Sequence, residues 1–391
     1  MLIKIVSLIF WLCSAESAQA GIIFWHQEIG DRDFVSKILK DFQEQYGIAV
    51  EATLIATDHY KSTLTKQVQR GALPDVIFCP GDYVSMAEQL NLSPLPNALK
   101  VKDISSDVWV TTTSSGKLYG LPVILGNHLM LFYNKLLVKG APTSWSQFAQ
   151  GRKTQDSPLI GWNFSEMYWF APFIQAYGSG IVKDAAPNLN TQAMVQALKT
   201  YKKFADEGLV DRRCSYDCAS KDFYDGKYPY AIDGDWALSL ARQKLGKNLG
   251  LAKLPSLDGH EMPAMYSTMG LLFPGKSLSG PKREQIIKLA RFLVSDSVQG
   301  DLWRILHRIP VLSSARKQFE IKANQDDKVI LGALAAAKAM PSDPAVAYSW
   351  EAMRRGFLRY LGGQDSAEYI ARYMQVTAES ELSNRKEKVQ K

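Results

Sequence analysis

The chain has 391 residues, 46% hydrophobic and 22% charged, with 46 Lys and Arg against 39 Asp and Glu for a formal net charge of +7. That is the composition of a soluble globular protein, and the length predicts about two to three domains rather than one small core. The cations are scattered and only the tail NRKEKVQK (384–391) is conspicuously charged, so the balance reads as general solubility and excludes nucleic acid as the expected partner.

In chain order the first feature is an export signal. Lys4 precedes the apolar run IVSLIFWL (5–12), and Ala18, Gln19 and Ala20 form the small-x-small pattern of a secretory cleavage site. Residues 1–20 are therefore expected to be a signal peptide, with Gly21 as the mature N-terminus and the periplasm as the destination. The apolar run is less than half of the roughly 20 residues a spanning helix needs. Leu12, ahead of Cys13, is not the small residue that a lipid-attachment signal wants there.

The mature part opens as βαβαβ. GIIFWH (21–26) reads as a strand, 31–46 as an amphipathic helix stopped by Gly47, and IAVEATLI (48–55) as a strand. A helix over 57–71 closed by Gly71 and a strand over 74–80 complete the unit, which predicts a mostly parallel sheet. KLYGLPVIL (117–125) is a further strand, followed by an aromatic segment that includes GWNFSEMYWFAPFIQAYGSG (161–180). A helix capped at Asn190 or Thr191 runs to Gly208; 228–241 reads as strand, turn and helix, 266–273 as a strand, and 281–295 as a helix begun by Pro281. The remainder is mostly helical. In SWEAMRRGFLRYL (349–361), Trp350, Met353, Phe357, Leu358 and Leu361 recur at helical spacing, with Arg354 placed in the same stripe. A cation there requires either a buried partner or a cleft at that end of the helix.

Cys79, Cys214 and Cys218 remain after signal removal. The CSYDC spacing permits a Cys214–Cys218 disulfide as readily as unpaired thiols, and Cys79 is expected to be free and buried.

Enzyme signatures are thin. GLLFPGKS (270–277) matches the phosphate-loop pattern, but its first half reads as strand interior, Pro274 lacks a donor, and Ser279, Gly280 and Pro281 delay the helix. There is no H-E-x-x-H or G-x-S-x-G, and the five histidines are dispersed, so neither metal nor cofactor is expected. The acidic pairs Asp31/Asp33 and Asp233/Asp235 could serve glycoside cleavage, but read more simply as a helix N-terminus and a turn. More distinctive are aromatic residues beside polar ones where the chain leaves strands: Trp25, Asp82 with Tyr83, Asn127 with His128, Glu166 with Tyr168 and Trp169, and Trp236. Flat apolar faces edged by planar hydrogen-bonding groups suit a sugar ring.

The order of these motifs resembles the solute-binding proteins of ABC importers, of the maltose/maltodextrin-binding type, over nearly the whole mature chain. It rests on RGALPDVIFCPGDYVSMAEQ (70–89), SSGKLYGLPVILGNHLMLFYNKLLV (114–138), APTSWSQF (141–148), EMYWFAP (166–172), FYDGKYPYAIDGDWA (223–237) and SWEAMRRGF (349–357). The resemblance implies two α/β lobes joined by three crossings near Gly126, Ser267 and Val311, each lobe a mostly parallel sheet flanked by helices. The lobes would comprise 21–125 with 268–310, and 126–267 with 311–391, holding ligand between them. It further implies that Asp82 bonds sugar hydroxyls, that Glu166 and Tyr168 line the second lobe, and that Trp236, Trp350 and Arg354 supply two stacking rings and a nearby cation. Where these binders carry a stacking Trp, an acid and an Arg, this chain has Cys79, Asn127 and Tyr83. The expected protein is a monomeric, non-enzymatic binder that captures a carbohydrate or related polyol, closes by a hinge, and delivers it to an importer's permease subunits. The alternatives are an exported carbohydrate-active enzyme using Asp233 or Glu166, and a binder of a non-sugar ligand such as an organophosphate.

Overall fold

The computed structural model describes residues 21–27, 31–150, 158–363 and 365–390, so the expected signal peptide lies outside the described residues. The strands of its two larger sheets are β1 (Ile22–His26), β2 (Val50–Leu54), β3 (Val76–Pro80), β4 (Gly120–Gly126), β5 (Leu129–Asn134), β6 (Ile160–Gly161), β7 (Tyr230–Gly234), β8 (Leu249–Ala252), β9 (Met265–Leu272), β10 (Ile309–Pro310) and β11 (Lys338–Ala339). The first sheet has the order β10-β4-β9-β3-β1-β2, with β11 pairing β9; the second has the order β8-β5-β7-β6.

The βαβαβ opening forms as its alternation dictates. Helices α1 (Arg32–Tyr46) and α2 (Thr57–Arg70) each stop at a glycine with φ of 66°, a left-handed conformation that favours glycine. Strand β1 then pairs in parallel with both β2 and β3. The expectation of mostly parallel sheets holds for this unit and gives way to mixed pairing beyond it. Strand β9 lies antiparallel between β3 and β4, and β10 lies antiparallel to β4. The reason is connectivity: β9 re-enters the first sheet at the edge where β3 and β4 leave it, so Ser267 at its start pairs with Gly126 at the end of β4. In the second sheet β5 is antiparallel to both β7 and β8, and only β6 and β7 are parallel.

The helices that matter for the site follow in order: α3 (Met167–Ala176), α4 (Gln192–Asp206), α5 (Tyr216–Tyr224), α6 (Leu238–Leu245), α7 (Arg283–Leu293), α8 (Asp296–Leu306), α9 (Ser313–Lys322), α10 (Gln325–Ala336), α11 (Pro344–Leu361) and α12 (Ala367–Gln390). Thr191 caps α4 by accepting the Met194 N–H, and Asn324 with Asp327 closes a reciprocal capping box on α10. The aromatic segment supplies the core of the second half, where Trp162, Phe164, Phe170 and Phe173 pack with Tyr201. Met353, Phe357, Ile370 and Met374 of α11 and α12 join the same core. A β-carbon on Gly356 would strike the Met374 side chain, so glycine sets how closely these two helices approach.

The stripe on α11 is not the one the spacing suggested. Val346, Ser349, Met353, Gly356, Phe357 and Tyr360 are buried, whereas Leu358 is 48% exposed and Arg354 is exposed. Arg354 therefore lies off the apolar face, and its cation needs no buried partner. Val311, expected at a crossing, packs with the first sheet: its N–H donates to Gln299 Oε1 (2.8 Å), and Ser313 N donates to the Asp103 carbonyl (2.8 Å). Ile330 and Ala333 of the following α10 pack against Leu249 and Leu251 of β8 in the second sheet.

Candidate functional site

The carboxyl ends of β3 and β4 lead directly into the site. After Pro80 the chain tightens into a 3₁₀ turn, Gly81–Met86, which presents Asp82 and Tyr83 half-buried. Only glycine fits at 81, because a β-carbon would lie 2.6 Å from the Thr111 carbonyl oxygen. Burial pushes the Asp82 carboxyl up to about 6, Lys61 pulls the other way, and Glu166 adds to the rise. The Tyr83 ring meets Tyr60 edge-on at 6.0 Å, and burial drives its phenol well above the usual range. Trp25 packs partly exposed on the cluster that contains Tyr60 and Cys79. Cys79 is fully buried and free, as its spacing suggested.

Beyond β4 the backbone turns through Gly126 (φ 133°) and Asn127 (φ 48°) into β5. The Asn127 carbonyl accepts a hydrogen bond from the Tyr168 hydroxyl, which also donates to the Met265 carbonyl (2.9 Å). Tyr168 thus ties α3 to both links between the sheets, the one before β5 and the one into β9. Glu166 caps α3, its carboxylate accepting the Tyr168 N–H at 3.4 Å, and stays exposed. The field of Glu166 reaches Asp82 and Tyr83 across the gap, and Arg354 on its own side.

Trp236 follows β7 in a short 3₁₀ turn (Asp235–Ala237) and folds back over Gly234, where a β-carbon would strike its six-membered ring. Its ring lies 6.1 Å from Tyr168 and 6.0 Å from Trp169, and its Nε1 donates to the Tyr216 hydroxyl at 3.0 Å. Trp350 and Tyr168 pack on the same small cluster, Ala171, Met265 and Met340. Helix α11 brings Trp350 within reach of the first half because Ala347 packs among Tyr60, Cys79 and Val84, and Gln89 Nε2 donates to the Tyr348 hydroxyl (3.0 Å). Arg354, one turn on, makes a two-pronged bond to Glu351 at 3.0 and 2.8 Å, and that carboxylate holds its guanidinium above the usual range.

Contacts thus link Asn127, Tyr168, Trp236 and Trp350, the charge of Glu166 reaches Asp82, Tyr83 and Arg354, and Trp25 packs with Tyr83 on the cluster that contains Tyr60. Lys61, Tyr216 and Tyr348 belong to the same neighbourhood and were not legible from spacing, since each reaches it through a contact between distant segments. Of the acidic pairs, Asp233 is buried, its carboxyl raised by that burial to about 7 and opposed by bonds to Gly234, Trp236 and Tyr216. Asp31 and Asp235 are spent on Arg308, at 2.6 and 3.6 Å. The phosphate-loop match is strand through Leu272, and the next helix starts only at Arg283. Cys214 and Cys218 form the disulfide. No helix among the described residues is long and apolar enough to cross a membrane.

Comparison with known proteins agrees with this architecture. The chain is 24% identical over 365 residues to a maltooligosaccharide ABC transporter solute-binding lipoprotein of Streptococcus pneumoniae, covering 88% of this chain and 84% of that protein. It is 22% identical over 362 residues to the maltodextrin-binding protein MdxE of Bacillus subtilis, covering 87% and 85%. Among solved structures it superposes on the maltose/maltodextrin-binding domain MalE of Bdellovibrio bacteriovorus bound to maltotriose with a TM-score of 0.85, at 26% identity and 93% and 100% coverage. The profile described as bacterial extracellular solute-binding protein matches residues 37–328, three quarters of the chain. The chain belongs to that family of extracellular solute-binding proteins.

Proposed function

We propose that the protein captures a carbohydrate of the maltooligosaccharide class and delivers it to an ABC importer. The observation that carries this is the pairing across the gap between sheets. Asp82 and Tyr83 of the first half lie within electrostatic reach of Glu166 and Tyr168 of the second, and the rings of Tyr168, Trp236 and Trp350 beside them are partly exposed. Sugar hydroxyls donate to such carboxylates while the ring's C–H face covers the aromatics. Contacts drawn from both halves favour a closed state by their differential affinity.

In this reading the crossings run at Gly126–Asn127, at Met265–Ser267 and, in place of Val311, between α9 and α10. The halves then comprise 21–125 with 268–322, and 127–265 with 324–391. The site binds and does not turn its ligand over: Asp233 lies buried beside Trp236, and Glu166 is engaged as a helix cap. Export ends with cleavage after Ala20, which N-terminal sequencing of the mature protein checks. The protein acts as a monomer at the permease.

Calorimetric titration with maltose, maltotriose and maltopentaose, alongside a polyol and a glycerophosphoester, tests the assignment. Stoichiometric binding of a maltooligosaccharide with no product released is the expected result. Binding of the phosphoester alone would sink the sugar assignment, and release of shorter sugars would make the protein an enzyme.

A further inference from the structure

The Cys214–Cys218 disulfide brackets Tyr216, whose hydroxyl accepts the indole N–H of Trp236 at 3.0 Å. The bracket is held from several directions: Phe164 N donates to the Cys214 carbonyl (3.2 Å), Cys214 N to the Asp211 carbonyl (3.0 Å), and Cys218 N to the Ser215 hydroxyl that caps α5 (3.4 Å). Tyr216 also meets Trp169 edge-on at 6.1 Å, and Trp169 meets Trp236 the same way at 6.0 Å. The Trp236 ring is therefore fixed on its far face by Gly234, along its flank by Tyr168 and Trp169, and at its one polar atom by Tyr216.

An indole has a single donor, so the acceptor that meets it decides where the ring's edge points. A stacking ring contributes most when its plane is fixed before ligand arrives, because immobilising a side chain on binding costs free energy. We propose that Tyr216, anchored by the Cys214–Cys218 disulfide, is a positioning residue that presets the plane of Trp236 for sugar stacking. The proposal rests on the reading of the cleft given above. It goes beyond that reading in giving the disulfide a task in affinity rather than in fold alone.

The test pairs maltotriose calorimetry with the ¹⁵N-indole spectrum of the ligand-free protein, for Tyr216→Phe, for a Cys214→Ala/Cys218→Ala double variant, and for Trp236→Ala as reference. Tyr216→Phe keeps the ring and removes only the hydroxyl. Both positioning variants are expected to shift the Trp236 N–H resonance and to weaken maltotriose binding about three- to tenfold, the size of one neutral hydrogen bond. An unmoved resonance in Tyr216→Phe overturns the proposal, as does native affinity in both variants while Trp236→Ala binds poorly. A native double-cysteine variant beside a weakened Tyr216→Phe overturns the disulfide's part. If Trp236→Ala itself binds maltotriose normally, it is the cleft reading that falls, and the resonance alone then decides the positioning.

Discussion

Arg308 and Arg354 both meet carboxylates, under opposite conditions. Arg308 has no exposed side-chain surface and sits between Asp31 at 2.6 Å and Asp235 at 3.6 Å, with Ser239 donating to the other oxygen of Asp31 (2.9 Å). Arg354 has half its side chain in water and bonds Glu351 one helical turn away. The buried group joins three segments: the start of α1, the link after α8 and the turn after β7. It also borders Gly126, where a β-carbon would strike the Asp235 carboxylate. The exposed pair joins one helix to itself. In water such a pair contributes little, whereas in the interior the loss of one partner leaves charge without compensation. The first arrangement thus ties three distant segments together in the interior, and the second braces one helix on its exposed side.

The largest expected effect comes from breaking the buried side of that contrast. Arg308→Met strands Asp31 and Asp235 in the interior and is expected to cost about 3–5 kcal/mol of stability in urea denaturation. A loss below about 1 kcal/mol would show that water reaches this cluster and that the contrast with Arg354 is not one of burial.

Next in size is Trp350→Ala, expected to weaken maltotriose binding at least tenfold, about 1.4 kcal/mol, with an unchanged circular dichroism spectrum. Native affinity by calorimetry would remove Trp350 from the site.

The pH dependence is of similar size and sharpens the role of Asp82. Its carboxyl is raised to about 6, so lowering the pH from 7 to 5 protonates it in the free protein. A sugar hydroxyl that donates to the ionised form loses its acceptor, and affinity should fall about tenfold over that interval and flatten above pH 7. The stability of the ligand-free protein should move the other way: the folded state holds the extra proton, so this contribution is present below the unfolded value near 4 and is lost as pH rises through 6. Asp82→Asn removes both trends, which separates Asp82 from Asp233 titrating close by at about 7. A pH trend in affinity that survives Asp82→Asn would assign it elsewhere.

The smallest effect is expected at Arg354. Arg354→Ala should change stability by less than about 1 kcal/mol, as for other exposed ion pairs, while lowering maltotriose affinity measurably. A large change in the melting curve with native binding would reverse its assignment from rim to scaffold.

Much of the fold was legible because its signals are local. Gly47 and Gly71 stop helices, Thr191 caps one, and alternating strand and helix patterns mark β1 to β3 wherever the chain goes next. Of the residues flagged at strand ends, Asp82 and Asn127 follow parallel strands of the first sheet and Trp236 follows a strand of the second. The placement of Arg354 failed for a geometric reason. A helix turns about 100° per residue, so the buried face centres on Ser349, Met353, Gly356 and Tyr360, and 354 falls beyond the edge that Phe357 and the half-buried Trp350 define. The mixed pairing of β9 was hidden as well, because a strand's own pattern does not record which way its neighbours run.

What the sequence settled by itself was every feature held by neighbours within a few residues: caps, stops, strand and helix periods, and a cysteine spacing that allowed a bridge. What only the tertiary structure decided was which charges are buried and which rings are fixed. Asp31 meets Arg308 across 277 residues, and Trp236 meets Tyr216 across 20. Such contacts arise where separately formed elements converge, and burial, which sets the strength of a charge pair, is a property of that convergence and not of any one segment.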